Sequence, residues 1–204
     1  MTRGPDVVRR ILDVAIAGTA LLVLLPVLAL VALAVLCGLG WPVLFSETRA
    51  GRNGVPFVLK KFRSMANSRA ADGRLLPDAR RLGRLGSLLR RYSLDELPEL
   101  VHVLTGDMSI VGPRPLPLRY VARYSVEQAR RLEVKPGITG LAQISGRNAL
   151  SWEARLALDT WYVEHRGLAL DCRILLSTVL VVLRAEDINH PGQATMHEFS
   201  GLGR

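Results

Sequence analysis

Two adjacent carboxylates, Asp95 and Glu96, stand just ahead of a short apolar stretch in the segment Ser93 to Pro115, SLDELPELVHVLTGDMSIVGPRP. A third acid, Asp107, and a Pro113-Arg114-Pro115 turn follow within a few residues. Neighbouring carboxylates repel unless a cation or a bound metal compensates them. Magnesium favours hard oxygen ligands and often takes one or two carboxylates together with substrate phosphates. An aspartate can also attack phosphorus and split one hard transfer into two easier ones. The two prolines hold the Arg114 guanidinium on a stiff backbone, a geometry suited to phosphate. The competing structural reading is equally concrete. Ser93-Leu94-Asp95-Glu96 matches the S-x-x-E capping box, and acids in a first helical turn answer the helix dipole. On that reading Pro113 to Pro115 is a turn with an exposed arginine.

The elements around this segment read as its carriers. The chain has 204 residues, a formal net charge of +9 and a pI of about 10.5, so an anionic partner is called for. Aromatic residues make up only 5%, which leaves no stacking platform for nucleic acid, and none is expected as a partner. The two cysteines, Cys37 and Cys172, form neither a disulfide framework nor a zinc site. Val14 to Leu39 carries no charged residue and is long enough to cross a hydrocarbon core of roughly 30 Å. Pro26 interrupts it, and basic residues flank both ends: Arg3, Arg9 and Arg10 before, Arg49, Arg52, Lys60, Lys61 and Arg63 after. A helix that enters, breaks at Pro26 and returns to the same side satisfies the break and the positive-inside tendency together.

Beyond the anchor, Gly51-Arg-Asn-Gly54 followed by Phe57-Val-Leu predicts a small hairpin. Lys60-Lys61-Phe62-Arg63 reads as a headgroup patch. Asp78 to Tyr92 has leucines at helical spacing and an arginine face, the pattern of an interfacial amphipathic helix. Leu97 to Thr105 is a short helix that Gly106 ends. Leu116 to Glu133 and Trp152 to His165 are predicted helices, and Leu168 to Leu183 is a core or surface-lying one, interrupted by Asp171 and Arg173. The fold class is mainly α with a small β element, an α+β arrangement. Residues 1–44 form the re-entrant membrane segment and 45–204 the catalytic domain.

The ordered set Lys61-Phe-Arg-Ser-Met65, Ser93-Leu-Asp-Glu-Leu-Pro98, Gly106-Asp-Met-Ser109, Val111-Gly-Pro-Arg-Pro115 and Lys135-Pro-Gly-Ile-Thr-Gly140 resembles the bacterial sugar transferases called monotopic phosphoglycosyl transferases. Gln143, Gly146-Arg-Asn148, Asp159 and Tyr162 continue the match, and the closing His197-Glu-Phe-Ser-Gly201 is similar to the small single-domain members, such as the enzyme that starts bacterial N-linked glycan assembly. The resemblance implies transfer of a phospho-sugar from a UDP-sugar, an N-acetylated amino-sugar by likeness to that subgroup, to polyprenyl (undecaprenyl) phosphate, with release of UMP. It implies Mg2+ as cofactor and Asp95 as nucleophile and metal ligand. Glu96 would serve as acid/base or arrange metal and acceptor. Lys61, Arg63, Pro113, Arg114, Pro115 and Arg147 would bind substrate or hold the site loops. It further implies a monotopic enzyme on the cytoplasmic face of the bacterial inner membrane, in contact with phospholipid, with its oligomeric state open. Four departures stand out: Leu25 replaces the usual serine before Pro26, Glu99 the usual glutamine, His102 the usual asparagine, and Glu47 the common glutamine before Arg49-Ala-Gly51. Two other classes compete, a non-catalytic basic membrane adaptor and a magnesium-dependent phosphohydrolase.

Overall fold

Proline placement sets the first feature of the fold. In a computed structural model describing residues 3–146, 149–184 and 198–201, helices α1 (Arg3–Val23) and α2 (Leu25–Leu39) meet at an angle of 63°. A straight helix would drive the Pro26 ring into the carbonyl one turn back. The chain bends at Leu24 instead, which leaves Pro26 in the first turn of α2, where its missing N–H costs nothing. Among the described residues no single helix is long and apolar enough to cross a membrane, whereas the bent pair together has the length and composition to do so.

Both halves of the pair pack on the rest of the chain. Ala17 of α1 is fully buried with Leu59, Leu100, Val103, Met108 and Ile174. Val31 and Val35 of α2 close on Phe62 and Leu89. The outward residues Ile11, Leu22, Leu25, Leu30 and Leu33 remain exposed.

The hairpin forms as the turn signal predicts. Strands β1 (Leu44–Ala50) and β2 (Pro56–Phe62) pair antiparallel, Leu44 opposite Phe62 and Ala50 opposite Pro56. Asn53 and Gly54 supply the left-handed residues of the turn. The predicted helix over Asp78 to Tyr92 is two pieces, α3 (Asp78–Arg81) and α4 (Arg84–Arg91), because Leu82 and Gly83 are extended. At Gly86 a Cβ would meet the Ser64 carbonyl oxygen at 1.8 Å, so α4 lies directly on the strand exit.

A 3-10 turn over Leu94–Glu99 leads into α5 (Leu100–Thr105), which Gly106 ends in the left-handed region. Two short parallel strands follow, β3 (Ser109–Val111) and β4 (Gly137–Thr139), with Val111 opposite Thr139. Here Gly112 and Gly137 interlock: a Cβ on Gly137 would meet the Gly112 nitrogen at 2.1 Å. Only glycine permits that approach, and it fixes the Pro113 to Pro115 turn.

Between β3 and β4 the single predicted helix over Leu116 to Glu133 is replaced by a 3-10 turn (Leu118–Arg123), α6 (Val126–Ala129) and a second 3-10 turn (Arg130–Glu133). Extended Tyr124 and Ser125 interrupt it, and Ser125 with Gln128 forms a capping box that starts a new helix. The chain closes with α7 (Leu141–Ile144), α8 (Trp152–His165) and α9 (Leu168–Arg184). Tyr162 is core and donates its hydroxyl to Asp171 at 2.8 Å, while Trp161 is exposed and stacks on His165. Phe199 returns from the C-terminal segment to fill a pocket of Leu116, Tyr120 and Leu156. His190 and His197 lie outside the described residues.

Candidate active site

Ser93 does not cap a helix. Its backbone is left-handed, at φ 53° and ψ 26°, and its side chain accepts no capping hydrogen bond. The S-x-x-E signal instead marks a sharp entry into a 3-10 turn that directs Asp95 inward. Asp95 is only 4% exposed and Glu99, one turn on, 1%. Three acids thus crowd one short turn, an arrangement that surrounding cations and retained protons make tolerable.

The cations come from four different elements. Arg114, on the turn after β3, donates to the Glu96 carboxylate, and this partner holds its guanidinium above its ordinary value. Lys61, on β2, is pushed down by burial and supported chiefly by Asp95. Arg90, on α4, is likewise lowered by burial and opposed by Asp95; its Nε donates to Ser64 Oγ at 3.0 Å. Arg49, on β1, donates to the Pro115 carbonyl at 3.1 Å and to Glu47.

Arg155, on α8, is pushed down to about 10 by burial and then by the charge of Arg114. Asp159 opposes that shift. Burial, then the charge of Glu96, raises the Asp95 carboxyl to about 6, with Lys61, Arg90 and Arg114 opposing. Asp95 is thus a buried carboxyl compensated by three cations.

Of the residues singled out in the sequence, Asp95, Glu96, Lys61 and Arg114 converge. Pro113 and Pro115 contribute backbone: the Pro113 carbonyl accepts from Gly137 N at 3.0 Å, and that of Pro115 from Arg49. Arg63 is buried and donates to the Leu39 and Gly40 carbonyls, so it ties down the end of α2. The headgroup-patch reading of Lys60 to Arg63 gives way accordingly: strand alternation turns Lys61 and Arg63 inward and leaves Lys60 exposed. Asp107 is remote in function, bound within its own turn by Thr105 Oγ1 at 2.8 Å and facing His102. Arg147 lies outside the described residues. Arg90 and Arg155 were legible only as members of helical patterns; nothing in their spacing marks them as site residues.

Residues 5–185 match the family described as Bacterial sugar transferase. The chain belongs to that family. It is an enzyme of the phosphoglycosyl transferase kind. It is 52% identical over 165 residues to an uncharacterized sugar transferase EpsL of Bacillus subtilis, covering 81% of this chain and 82% of that one. Identity is 42% over 164 residues to the undecaprenyl-phosphate galactose phosphotransferase of Salmonella typhimurium, covering 72% of this chain and 34% of the longer relative. It is 38% over 194 residues to the UDP-glucose:undecaprenyl-phosphate glucose-1-phosphate transferase of Caulobacter vibrioides, covering 89% and 72%.

Within the transferase site Glu99 carries a testable burden. Its Oε1 is buried without a hydrogen-bond partner, and burial, then Glu96, pushes its carboxyl up to about 8. An unfolded chain releases this proton above about pH 4.5, whereas the folded one keeps it to about 8. Folding must then take up a proton throughout that window, so stability falls as pH rises from 4.5 to 8 and levels off above. Glu99→Gln keeps the shape and removes the penalty. It is expected to stabilise the protein by up to about 3 kcal/mol at pH 7, at about 1.4 kcal/mol per pKa unit, and by almost nothing near pH 4.5. Thermal midpoints of both proteins at pH 5 and pH 8 measure this; an equal difference at the two pH values contradicts a buried proton on Glu99.

Proposed function

We propose that the chain transfers a phospho-sugar from a UDP-sugar to polyprenyl phosphate, giving polyprenyl-diphosphate sugar and UMP. The observation that carries this reading is Asp95, buried among Lys61, Arg90 and Arg114, with its neighbour Glu96 held by Arg114. A carboxylate oxygen of Asp95 attacks the phosphorus that bears the sugar, and the phosphoanhydride bond to UMP breaks. The acyl-phosphate so formed is then attacked at the same phosphorus by the polyprenyl phosphate oxygen, which returns Asp95 to its carboxylate form. Lys61, Arg90 and Arg114 surround the Asp95 carboxylate and would offset the charge that develops on the phosphoryl oxygens. Arg114 also holds Glu96 in place, so that Glu96 can orient the acceptor or act as acid/base.

Among the described residues no three His, Cys, Asp or Glu side chains form a metal-holding group. A pair of carboxylates completed by diphosphate oxygens and water still suits magnesium, with Asp95 as a ligand. When bound, the ion supplies Lewis-acid neutralisation of the diphosphate.

A re-entrant placement of α1 and α2 on the cytoplasmic leaflet of the inner membrane completes the reading. It draws support from both ends of the bent pair being tied to one body. Arg9 of α1 bonds Asp171 at 2.7 Å and Arg10 bonds the Val103 and Leu104 carbonyls, while Arg63 holds the last carbonyls of α2. The donor sugar is an N-acetylated amino-sugar by likeness to the small subgroup, whereas the named relatives act with galactose and glucose.

UMP release by the detergent-solubilised protein tests the whole reading, with UDP-N-acetylglucosamine, UDP-galactose or UDP-glucose and magnesium, with and without undecaprenyl phosphate. The expected result is lipid-dependent UMP and a lipid-linked sugar with one donor. Free sugar phosphate formed without lipid points to the phosphohydrolase, and no turnover with any donor points to the adaptor.

A further inference from the structure

A second cationic cleft lies away from Asp95, between the first turns of α1 and the β3–β4 pair. Its walls include Arg10, Arg52 and Lys135, together with Asp6 and Asp13. The acids are already committed. Asp13 accepts from Ser109 Oγ at 2.8 Å and from Ile110 N at 2.9 Å, and Asp6 faces Arg166 at 3.3 Å and Arg9 at 3.7 Å.

The cations are in the opposite state. Among the described residues Arg10 donates only to the carbonyls at the end of α5, and Arg52 Nε to the Glu133 carbonyl at 3.0 Å. Lys135 makes no hydrogen bond or ion pair among the described residues. Arg10 Nη2 and Lys135 Nζ both lie 3.5 Å from the point where a side chain at Gly106 would begin. Burial, then Arg10, lowers the Lys135 ammonium; Arg52 adds to this, and Asp13 and Asp107 oppose it. Three positive groups thus face one space with carbonyl dipoles but no paired carboxylate.

We propose that this cleft binds a phosphate-type anion, separate from the substrate phosphates at Asp95, held by Lys135, Arg10 and Arg52. An oxyanion with several acceptor oxygens satisfies a guanidinium fork and an ammonium at once. A planar carboxylate has fewer oxygens to share among three donors. The same chemistry is offered by a phospholipid headgroup and by a soluble phosphate. The cleft sits at the base of the helix that carries the exposed apolar residues Val8, Ile11 and Leu12 on its other face.

The test uses the full chain in neutral detergent in an Arg114→Ala background, which weakens phosphate binding at the Asp95 site. Inorganic phosphate is titrated against the thermal midpoint, and retention is compared on vesicles of phosphatidylcholine with and without phosphatidylglycerol. The comparison is with Lys135→Ala/Arg52→Ala and with Lys135→Arg, which keeps the charge. The expected result is at least tenfold weaker phosphate dependence or loss of the phosphatidylglycerol-dependent retention in the double variant, with the arginine variant close to its parent. Loss in the phosphate arm identifies a soluble ligand, and loss in the vesicle arm alone identifies a headgroup. Unchanged behaviour of the double variant in both arms overturns the proposal, as does a Lys135→Arg protein that behaves like the double variant.

Discussion

Asp95→Asn is expected to lower turnover by about 10³-fold or more while leaving the fold intact. Asparagine fills the same volume, so no cavity opens beneath the Leu94–Glu99 turn. The exchange also removes a carboxylate that burial and Glu96 already disfavour, so thermal stability at pH 7 is expected to hold or rise. What is lost, on the proposed mechanism, is the carboxylate oxygen that attacks phosphorus. In single-turnover incubations without lipid acceptor, the wild-type protein is expected to gain the mass of a phospho-sugar and the asparagine variant none. In steady state, kcat/KM of the wild type is expected to rise with pH through about 6 as the Asp95 carboxyl ionises. UMP release by Asp95→Asn at a tenth of the wild-type rate or better would remove the covalent mechanism and favour direct attack by the acceptor.

The parts of this site that the sequence discloses are those whose chemistry is local. Pro26 announces the bend because its ring clashes within its own helix, and Gly51 to Gly54 announces the hairpin because the turn needs left-handed residues there. Asp95 and Glu96 are conspicuous as neighbours, and Arg114 as the centre of a Pro-Arg-Pro turn. Ser93 misleads because S-x-x-E states which atoms could bond, not which backbone conformation the chain adopts. In this chain the tertiary need to bury Asp95 prevails.

Leu116 to Glu133 misleads for a related reason. Its helical spacing is real, but Ser125 caps a new turn in the middle and breaks the run. Arg63 reads as part of a basic patch until strand alternation separates it from Lys60. The least legible residues are Arg90, Arg155 and Arg131, whose partner Asp159 the family resemblance marks without saying what it pairs with. Ser64 and Asp159, which Arg90 and Arg131 meet, lie far along the chain from them.

That ion pair is where a single substitution is expected to damage the fold most. Arg131 and Asp159 are 2% and 3% exposed at their side chains. Arg131 Nε and Nη2 donate to Asp159 Oδ2 at 3.0 and 2.8 Å, Nη1 to the Tyr124 hydroxyl at 3.2 Å, and Nη2 also to the Arg114 carbonyl at 2.7 Å. Arg131→Met strands a buried carboxylate, a change that costs about 3–5 kcal/mol. Arg155 attracts Asp159 as well and holds the cost toward the lower figure. Arg131→Met/Asp159→Leu leaves no stranded charge, and its unfolding midpoint is expected to recover most of the loss.

Activity is expected to follow the other bond. Both variants lack the donor that fixes the Arg114 carbonyl, so both are expected to bind the donor sugar nucleotide less tightly, with KM raised by about tenfold, the scale of one hydrogen bond. A double variant as unstable as the single one would show that the stranded charge is not the cause. A double variant with wild-type KM would show that the Pro113 to Pro115 turn is held by its glycine interlock alone. The pair is thus expected to serve two ends at once, burial of charge in the core and registration of the guanidinium that meets Glu96.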